Sequence, residues 1–464
     1  MKAYKINIEN DDFDFGLAAL HLFFAVIFGA FFLNAGQLFK FLLLPYVVLT
    51  FLYPKKEMLP GLAILMCYGT ILTILGAVVI IGISFTKITE IKEKKIFRLW
   101  LLLIGAFPLY LFNILTRIFE LDYSFVDSLL LNDYYFAFWF LIFGALNPGL
   151  ISRKSTSFLL FVTILIVFVD RVDDNEILSF RILYRLIPVA ETILCLFLFL
   201  IFRKMIPLTN DLYIRLSLVI FFLTRLLLGI PDYKFTFLFG LIISFSFVIQ
   251  KRFFNQDYDD LTLAKVLKLR SSLLTFIPIP FLVITLMATP FFVSDYAFVD
   301  ASNYYESKDN LFDVIMNKLF VDRGLLWTGA IAGVIENSSY LPPLEEWFIS
   351  FNTVFDYTMD VDFEAHNLLI ELIRKNGYIM GLLLSFTYLR WQYKLIKSTK
   401  GGDRYLNVFR YAIFGVAISV FTTGQYTLQL NTSFYFMTLT GALVISQSEA
   451  NSQGEPPKKI VDGG

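Results

Sequence analysis

Apolar blocks about as long as a bilayer is thick recur along almost all of this 464-residue chain, and they limit its fold more than any other feature. A helix that crosses a bilayer needs roughly 20 apolar residues. Hydrophobic residues make up 57% of the chain and charged residues 17%, whereas soluble domains carry about a quarter charged residues. The sequence therefore predicts an all-α polytopic membrane protein, and its zero formal net charge gives no indication of nucleic-acid binding.

We identify thirteen candidate spans and expect twelve of them to cross the membrane, with both termini in the cytoplasm. The candidate spans are Phe15–Leu33, Leu38–Tyr53, Leu59–Phe85, Leu99–Thr116, Tyr134–Leu150, Ser157–Val169, Ile182–Phe202, Leu212–Ile230, Phe235–Gln250, Ser272–Val293, Tyr378–Trp391, Val408–Thr423 and Phe434–Ser446.

Short basic loops indicate the orientation, because loops rich in Lys and Arg stay in the cytoplasm. Such loops at 251–271 and 390–407 place the long segment 294–365 between them on the outer side. We expect four regions along the chain: an N-terminal transmembrane bundle (1–293), an extracytoplasmic loop with the catalytic segment (294–377), C-terminal transmembrane helices (378–448) and a disordered cytoplasmic tail (449–464).

The first half of the chain contains a conflict between two basic segments. Lys55 and Lys56 precede the block Leu59–Phe85, and Lys94 and Lys95 follow it. Both segments cannot be cytoplasmic if this block crosses the membrane once. Either one candidate does not span, or the block is a tight hairpin.

An arginine opens a short helix predicted within the outward segment, from Val321 to Ile331. A helix N-terminus with an arginine is a natural anion site, because free backbone N–H groups and the guanidinium face the same ligand. The alternative is that Arg323 pairs with Asp322 or Glu336 on a solvated surface.

Several ionisable residues lie inside candidate spans, where they mark either a functional site or a pair in the protein interior. Arg225 lies near the outer end of its span, and Arg185 and Glu191 share another span. Some of these residues must be structural partners of one another.

His366 is one of two histidines and lies where the polar segment gives way to apolar sequence. A histidine titrates near neutral pH and can move protons, although an interfacial histidine can also be structural. Asp360, Asp362 and Glu364 alternate with His366, and in an extended chain they would share one face able to hold a divalent cation. Such short alternation arises easily by chance, and we expect no metal. The sequence has no Walker-type loop, GxSxG elbow or zinc-type Cys/His spacing, which disfavours an ATP-driven pump or a serine hydrolase.

Three motifs follow one another in order: a Thr-Arg near the outer end of a span, an arginine-led Arg-x-x-x-Trp in the outward loop, and a His-Asn before an apolar helix with glycines. The residues concerned are Thr224 and Arg225, then Arg323 and Trp327, then His366, Asn367, Leu369, Leu372, Gly377 and Gly381. In this combination, mainly over residues 210–390, the chain resembles the superfamily of O-antigen ligases and O-antigen polymerases, which are bacterial inner-membrane glycosyltransferases. It departs from the family pattern at Leu226, where a glycine is usual, and after the arginine helix, where a Gly-x-Gly is common.

The resemblance implies a GT-C-like bundle of about 12 transmembrane helices, with one long extracytoplasmic loop that carries short helices. It also implies a multi-pass protein of the bacterial inner membrane, among membrane lipids, with its active site facing the periplasm. The donor would be a glycan linked to undecaprenyl pyrophosphate. The acceptor would be a sugar hydroxyl, on a lipid-linked repeat for a polymerase or on lipid A-core for a ligase.

The resemblance further implies a metal-independent, inverting displacement without a cofactor. Arg225 and Arg323 would clamp the pyrophosphate, and His366 would take the proton of the acceptor or orient it. The remaining residues expected to bind substrate are Asn367, Trp327 and Arg185. We slightly favour a polymerase, which implies a chain-length regulator as a possible partner. The alternative from another class is a transporter or flippase of lipid-linked sugars, but we find no paired repeats of the kind such carriers show.

Overall fold

The computed structural model describes residues 13–34, 37–68, 70–90, 94–147, 149–172, 187–203, 211–228, 237–246, 272–295, 323–336, 340–344, 349–350, 360–361, 367–397, 404–420 and 437–446. Within these ranges the fold is all-α, apart from one antiparallel pairing of two-residue strands. The predicted fold class is therefore confirmed at this level.

The first half of the chain forms a series of helices of very different length: α1 (Phe15–Asn34), α2 (Gln37–Leu52), α3 (Leu59–Tyr68), α4 (Thr70–Lys87), α5 (Lys94–Glu120), α6 (Phe125–Leu130), α7 (Asp133–Ala137), α8 (Trp139–Leu146), α9 (Arg153–Val172), α10 (Ile187–Phe202) and α11 (Leu212–Leu228). The second half adds α12 (Phe237–Ser246), α13 (Pro278–Asp295), α14 (Arg323–Glu336), β1 (Ile349–Ser350), β2 (Asp360–Val361), α15 (Leu368–Lys397), α16 (Arg404–Ser419) and α17 (Met437–Ser446).

Within the described ranges, α5 is the one helix long and apolar enough to cross a membrane by length and composition. Shorter apolar helices coincide with other candidate spans: Phe15–Ile27, Thr73–Lys87, Asp133–Leu146, Pro188–Phe202, Phe237–Ser246, Pro278–Thr289, Tyr405–Ser419 and Met437–Ser446. The predicted apolar segments are thus helical where they are described. That twelve of them cross a membrane stays a prediction.

The block Leu59–Phe85 is helical on both sides of position 69, which lies outside the described residues: α3 precedes it and α4 follows it. A β-carbon at Gly76 of α4 would overlap the ring of Phe51 near the end of α2. Phe51 also lines a small cavity together with Lys87 at the end of α4. The end of α4 therefore returns to the end of α2 that precedes Lys55 and Lys56, as expected for the hairpin alternative.

The candidate span Tyr134–Leu150 is helical from its first residue to Leu146. It consists of α7 and α8, which meet at Phe138. The side chains from Tyr134 to Phe143 are almost completely buried, because this run is apolar on all sides and therefore suits the centre of a helical protein. A β-carbon at Gly144 would meet the backbone of Ala442 at 2.8 Å, so α17 lies directly against α8.

Helices α5 and α15 run in opposite directions beside each other. Lys95 and Arg98 at the start of α5 line one groove with Arg390 and Lys394 near the end of α15. At the other end of α5, the hydroxyl of Tyr110 donates to Oδ1 of Asn376 at 2.7 Å. We call these two ends of the helix pair the Lys95 end and the Arg117 end.

Candidate functional site

A glycine divides α15 into two helices at the Arg117 end. Gly377 has φ +74° and ψ 171°, which separates Leu368–Asn376, here called the capped helix, from the long helix Tyr378–Lys397. A β-carbon at this position would overlap the carbonyl of Leu341. Glycine is needed here both for its backbone conformation and for this close approach.

Asn367 caps the capped helix. Its Oδ1 accepts hydrogen bonds from the backbone N–H of Leu369 at 2.9 Å and of Ile370 at 3.4 Å. These are the hydrogen bonds that an asparagine at the N-cap of a helix usually accepts. The side chain is fully buried, and its Nδ2 has no hydrogen-bond partner within the described part of the chain. Asn367 therefore holds the start of the capped helix, whereas its predicted contact with substrate stays a prediction.

A buried ion pair lies within the capped helix. Nε and one Nη of Arg374 donate to Oε2 of Glu371, at 3.0 and 2.9 Å. Glu371 is fully buried and Arg374 is 6% exposed. Two charges in such surroundings stabilise each other, because the attraction between them offsets part of the cost of burying each one.

The helix that opens on Arg323 packs directly on the capped helix. Trp327 of α14, fully buried, forms an apolar cluster with Ala330 and Ile370. Its ring meets that of Phe281 of α13 edge-on, with the centroids 6.0 Å apart. From Arg323 onward the described residues are helical, as predicted for this stretch. Trp327 packs in the interior, so a contact between its ring and a substrate stays a prediction without support from this geometry.

Residues 340–344, here called the strap, lie across the end of α5. Arg117 donates to the carbonyl oxygens of Pro343 and Leu344, the latter at 2.5 Å, and also to that of Ser128 at 3.2 Å. Nδ2 of Asn113, one helical turn earlier, donates to the carbonyl of Pro342 at 2.7 Å. The strap in turn accepts a hydrogen bond from Ile379 through the carbonyl of Tyr340. It therefore ties α5 to the start of the long helix.

The other side of the capped helix is held by α5 and α7. Nδ2 of Asn376 donates to the carbonyl of Leu372, and its Oδ1 accepts from Tyr110, which stacks on Tyr135 with centroids 3.8 Å apart. Nζ of Lys375 lies 3.8 Å from a carboxylate oxygen of Asp133. The capped helix is thus enclosed by α14 on one side and by α5 and α7 on the other.

Arg225 forms an ion pair with Glu191, which joins α11 to α10. Its guanidinium also lies 5.6 Å from the ring centroid of Phe221. The expectation that some ionisable residues in the spans are mutual partners is confirmed for this pair. Glu191 is 2% exposed, whereas about a quarter of the Arg225 side chain is exposed (26%).

Several predicted site residues lie outside the described residues, namely His366, Arg185, Asp362 and Glu364. Asp360 is described and pairs with Ser350 in the strand pairing. No group of three or more potential metal ligands occurs within the described ranges.

Of the predicted residues, Trp327 packs against the helix that Asn367 caps. Arg225 lies elsewhere, on α11, which packs on α9 and α10. The sequence analysis assigned no role to Asn113, Arg117, Lys375 or Asn376. The spacing of Asn113 and Arg117 in an apolar helix was an available signal, because residues four apart share one face.

A comparison with known protein families, characterised proteins and solved structures finds no match to this chain. Its function is therefore inferred from its own residues and from their geometry.

Proposed function

We propose that this chain is a bacterial inner-membrane glycosyltransferase of the O-antigen polymerase or ligase type. It would transfer a glycan from undecaprenyl pyrophosphate to a sugar hydroxyl on the periplasmic face. The observation that carries the proposal is the buried apolar cluster of Trp327, Ala330 and Ile370. It joins the helix that opens on Arg323 to the helix that directly follows His366 and Asn367, the two motifs on which the resemblance mainly depends.

The proposed topology has twelve crossings, both termini in the cytoplasm and the Arg117 end in the periplasm. The groove at the Lys95 end supports it, because residues from two separate basic segments of the sequence meet there and basic segments stay in the cytoplasm. In this topology α3 and α4 form a hairpin, so the basic segments before and after it can both lie in the cytoplasm.

The proposed reaction is an inverting displacement at the anomeric carbon. The acceptor oxygen forms the new bond to this carbon while the bond to the pyrophosphate oxygen breaks, and its electron pair leaves with the pyrophosphate. His366 takes the proton of the acceptor hydroxyl. Arg323 and Arg225 stabilise the charge on the leaving group, for which a planar and permanently charged guanidinium is well suited. Arg185 is proposed as a further substrate contact.

In this reaction the described part of the site acts as a support. The cap by Asn367, the buried Glu371–Arg374 pair and the strap hold the capped helix in one position relative to α14. A reacting group must be held to within a fraction of an ångström, so the residue directly before Asn367 benefits from this rigid support.

The proposal is tested in a strain that lacks the gene and carries the chain on a plasmid, by gel analysis of its surface polysaccharide. We expect His366→Ala to abolish polymer, because loss of a positioned base alone costs about 10²–10⁴-fold in rate. We expect Arg323→Ala and Arg225→Ala to abolish it as well, because each removes a charge that stabilises the leaving group. Normal polymer in all three variants, at normal expression, would contradict the proposal. A polymerase defect leaves single repeats on the core, whereas a ligase defect leaves lipid-linked polymer unattached.

A matched pair at Asn367 separates capping from substrate binding. Asn367→Asp keeps an oxygen that can cap the helix, whereas Asn367→Ala removes it at a cost of about 1 kcal/mol. We expect the aspartate variant to retain polymer and the alanine variant to lose part of it. If the aspartate variant is as defective as His366→Ala, Nδ2 of Asn367 contacts the substrate and the capping role is not sufficient.

A further inference from the structure

A groove at the Lys95 end collects four basic side chains from two helices. Lys95 and Arg98 come from α5, and Arg390 and Lys394 come from α15. None of the described residues that line the groove is acidic. Like charges so close together repel one another, and a bound anion would relieve that repulsion.

The pairs lie on matching faces of their helices. Lys95 and Arg98 are three residues apart, and Arg390 and Lys394 are four apart, so each pair projects from one side of its helix. Nζ of Lys394 lies 4.5 Å from the ring centroid of Trp391, which is buried in the floor of the groove. Lys95, Arg98 and Arg390 are exposed. The groove therefore offers an anion several donors from two sides.

The character of the lining changes along the helices. Next to the basic residues the groove is lined by Leu99, Leu102 and Phe386. One turn further towards the middle of the long helix, Leu382 and Leu383 are also exposed, by 56% and 42%. A basic end that continues into an exposed apolar face is complementary to a molecule with an anionic head and an apolar tail. A free anion would contact only the basic end.

We infer that this groove binds the phosphate of an anionic phospholipid, with the acyl chains along Phe386 and the leucines of α15. The inference rests on the membrane placement under the proposed function, in which the Lys95 end faces the cytoplasmic leaflet. That leaflet carries anionic lipids, which attract basic residues at the membrane surface. A tryptophan beside the headgroup position is typical of the membrane interface.

The test measures lipid retained by the purified full-length chain in detergent, by native mass spectrometry with added phosphatidylglycerol. We expect the double variant Arg98→Gln/Arg390→Gln to bind this lipid about 30-fold more weakly. This factor corresponds to ~2 kcal/mol for two basic residues near an anionic headgroup. The matched control Lys55→Gln/Lys56→Gln removes two charges elsewhere and should bind as the unchanged chain does.

Two further arms identify the ligand. Phosphatidylcholine should bind weakly, and millimolar inorganic phosphate should not displace phosphatidylglycerol. Equal retention by the unchanged chain and the Arg98/Arg390 variant overturns the inference, as does complete displacement by inorganic phosphate, which would indicate a site for soluble anions.

The polysaccharide gel separates failure of this inference from failure of the proposed function. If His366→Ala, Arg323→Ala and Arg225→Ala all leave the polymer normal while lipid retention depends on Arg98 and Arg390, the proposed function fails and the lipid site stands. If Arg323→Ala abolishes polymer while lipid retention is equal in all variants, the lipid site fails and the proposed function stands.

Discussion

The basic residues of α5 and α15 have different surroundings at the Arg117 end and at the Lys95 end. At the Arg117 end the cations are held by the protein itself: Arg117 by three carbonyl oxygens, Arg374 by Glu371, and Lys375 by Asp133. At the Lys95 end four basic side chains line an open groove without an acidic neighbour among its described lining residues.

Charged residues therefore have different roles at the two ends of α5 and α15. Where cations are enclosed and bonded to the backbone, they fix the positions of segments that are far apart in sequence. Where they are exposed together, they contribute little to stability and can serve a ligand. Three predictions test this contrast, from the largest expected effect on stability to the smallest.

The largest effect is expected at the buried ion pair. Arg374→Met removes the guanidinium from the buried carboxylate of Glu371, which should lower the free energy of unfolding by about 3–5 kcal/mol. The double variant Glu371→Leu/Arg374→Met removes both charges and should recover most of that loss. Denaturant unfolding of the detergent-solubilised chain measures both, and a double variant no more stable than the single one would show that the pair is not the cause.

Gly377 is the next test, with Gly105 as its control. Gly377→Ala forces a β-carbon into the left-handed region and against the carbonyl of Leu341, which should cost about 3 kcal/mol. Gly105 lies within α5 with open space around it, so Gly105→Ala should be neutral or stabilise the chain by up to about 1 kcal/mol. Similar unfolding midpoints for the two variants would mean that the break in α15 does not need a glycine.

The smallest effect compares the two arginines of α5 directly. Arg117→Gln removes hydrogen bonds to the strap and should cost about 2 kcal/mol. Arg98→Gln, in detergent without anionic lipid, should change stability by less than about 0.5 kcal/mol because Arg98 is exposed. Hydrogen exchange of peptides that cover 340–344 and 377–381 should accelerate only in Arg117→Gln. Faster exchange in both variants would remove the contrast between the two ends.

Much of the helical layout could be predicted from the chain, since apolar length and helix-start signals act over a few residues. The stretch from Arg323 to Ile331 is helical, as predicted. The block Leu59–Phe85, for which a hairpin and a non-spanning candidate were both open alternatives, shows the limit of that reasoning. A run of apolar residues has the same composition whether it continues straight or turns within a buried core, and only its neighbours decide between these outcomes.

At the candidate site, too, local features could be predicted and contacts between helices could not. Asn367 as a helix cap is a local feature, because Asn367 and the N–H groups that it caps are two and three residues apart. The burial of Trp327 and the pairing of Arg225 with Glu191 are not local, because the partners come from other helices. The types of residue at the site could therefore be predicted, whereas their contacts could not.

The amino-acid sequence was enough to predict that the described part of the chain is helical, roughly where its apolar helices lie, and where its basic segments lie along the chain. These properties follow from hydrophobic length, backbone propensity and charge, which each short segment carries with it. The tertiary structure alone decided that Arg117 holds the strap, that the capped helix lies against α14, and that four basic residues meet in one groove. Each of these contacts joins residues that are far apart in the chain, and the packing of whole helices brings them together.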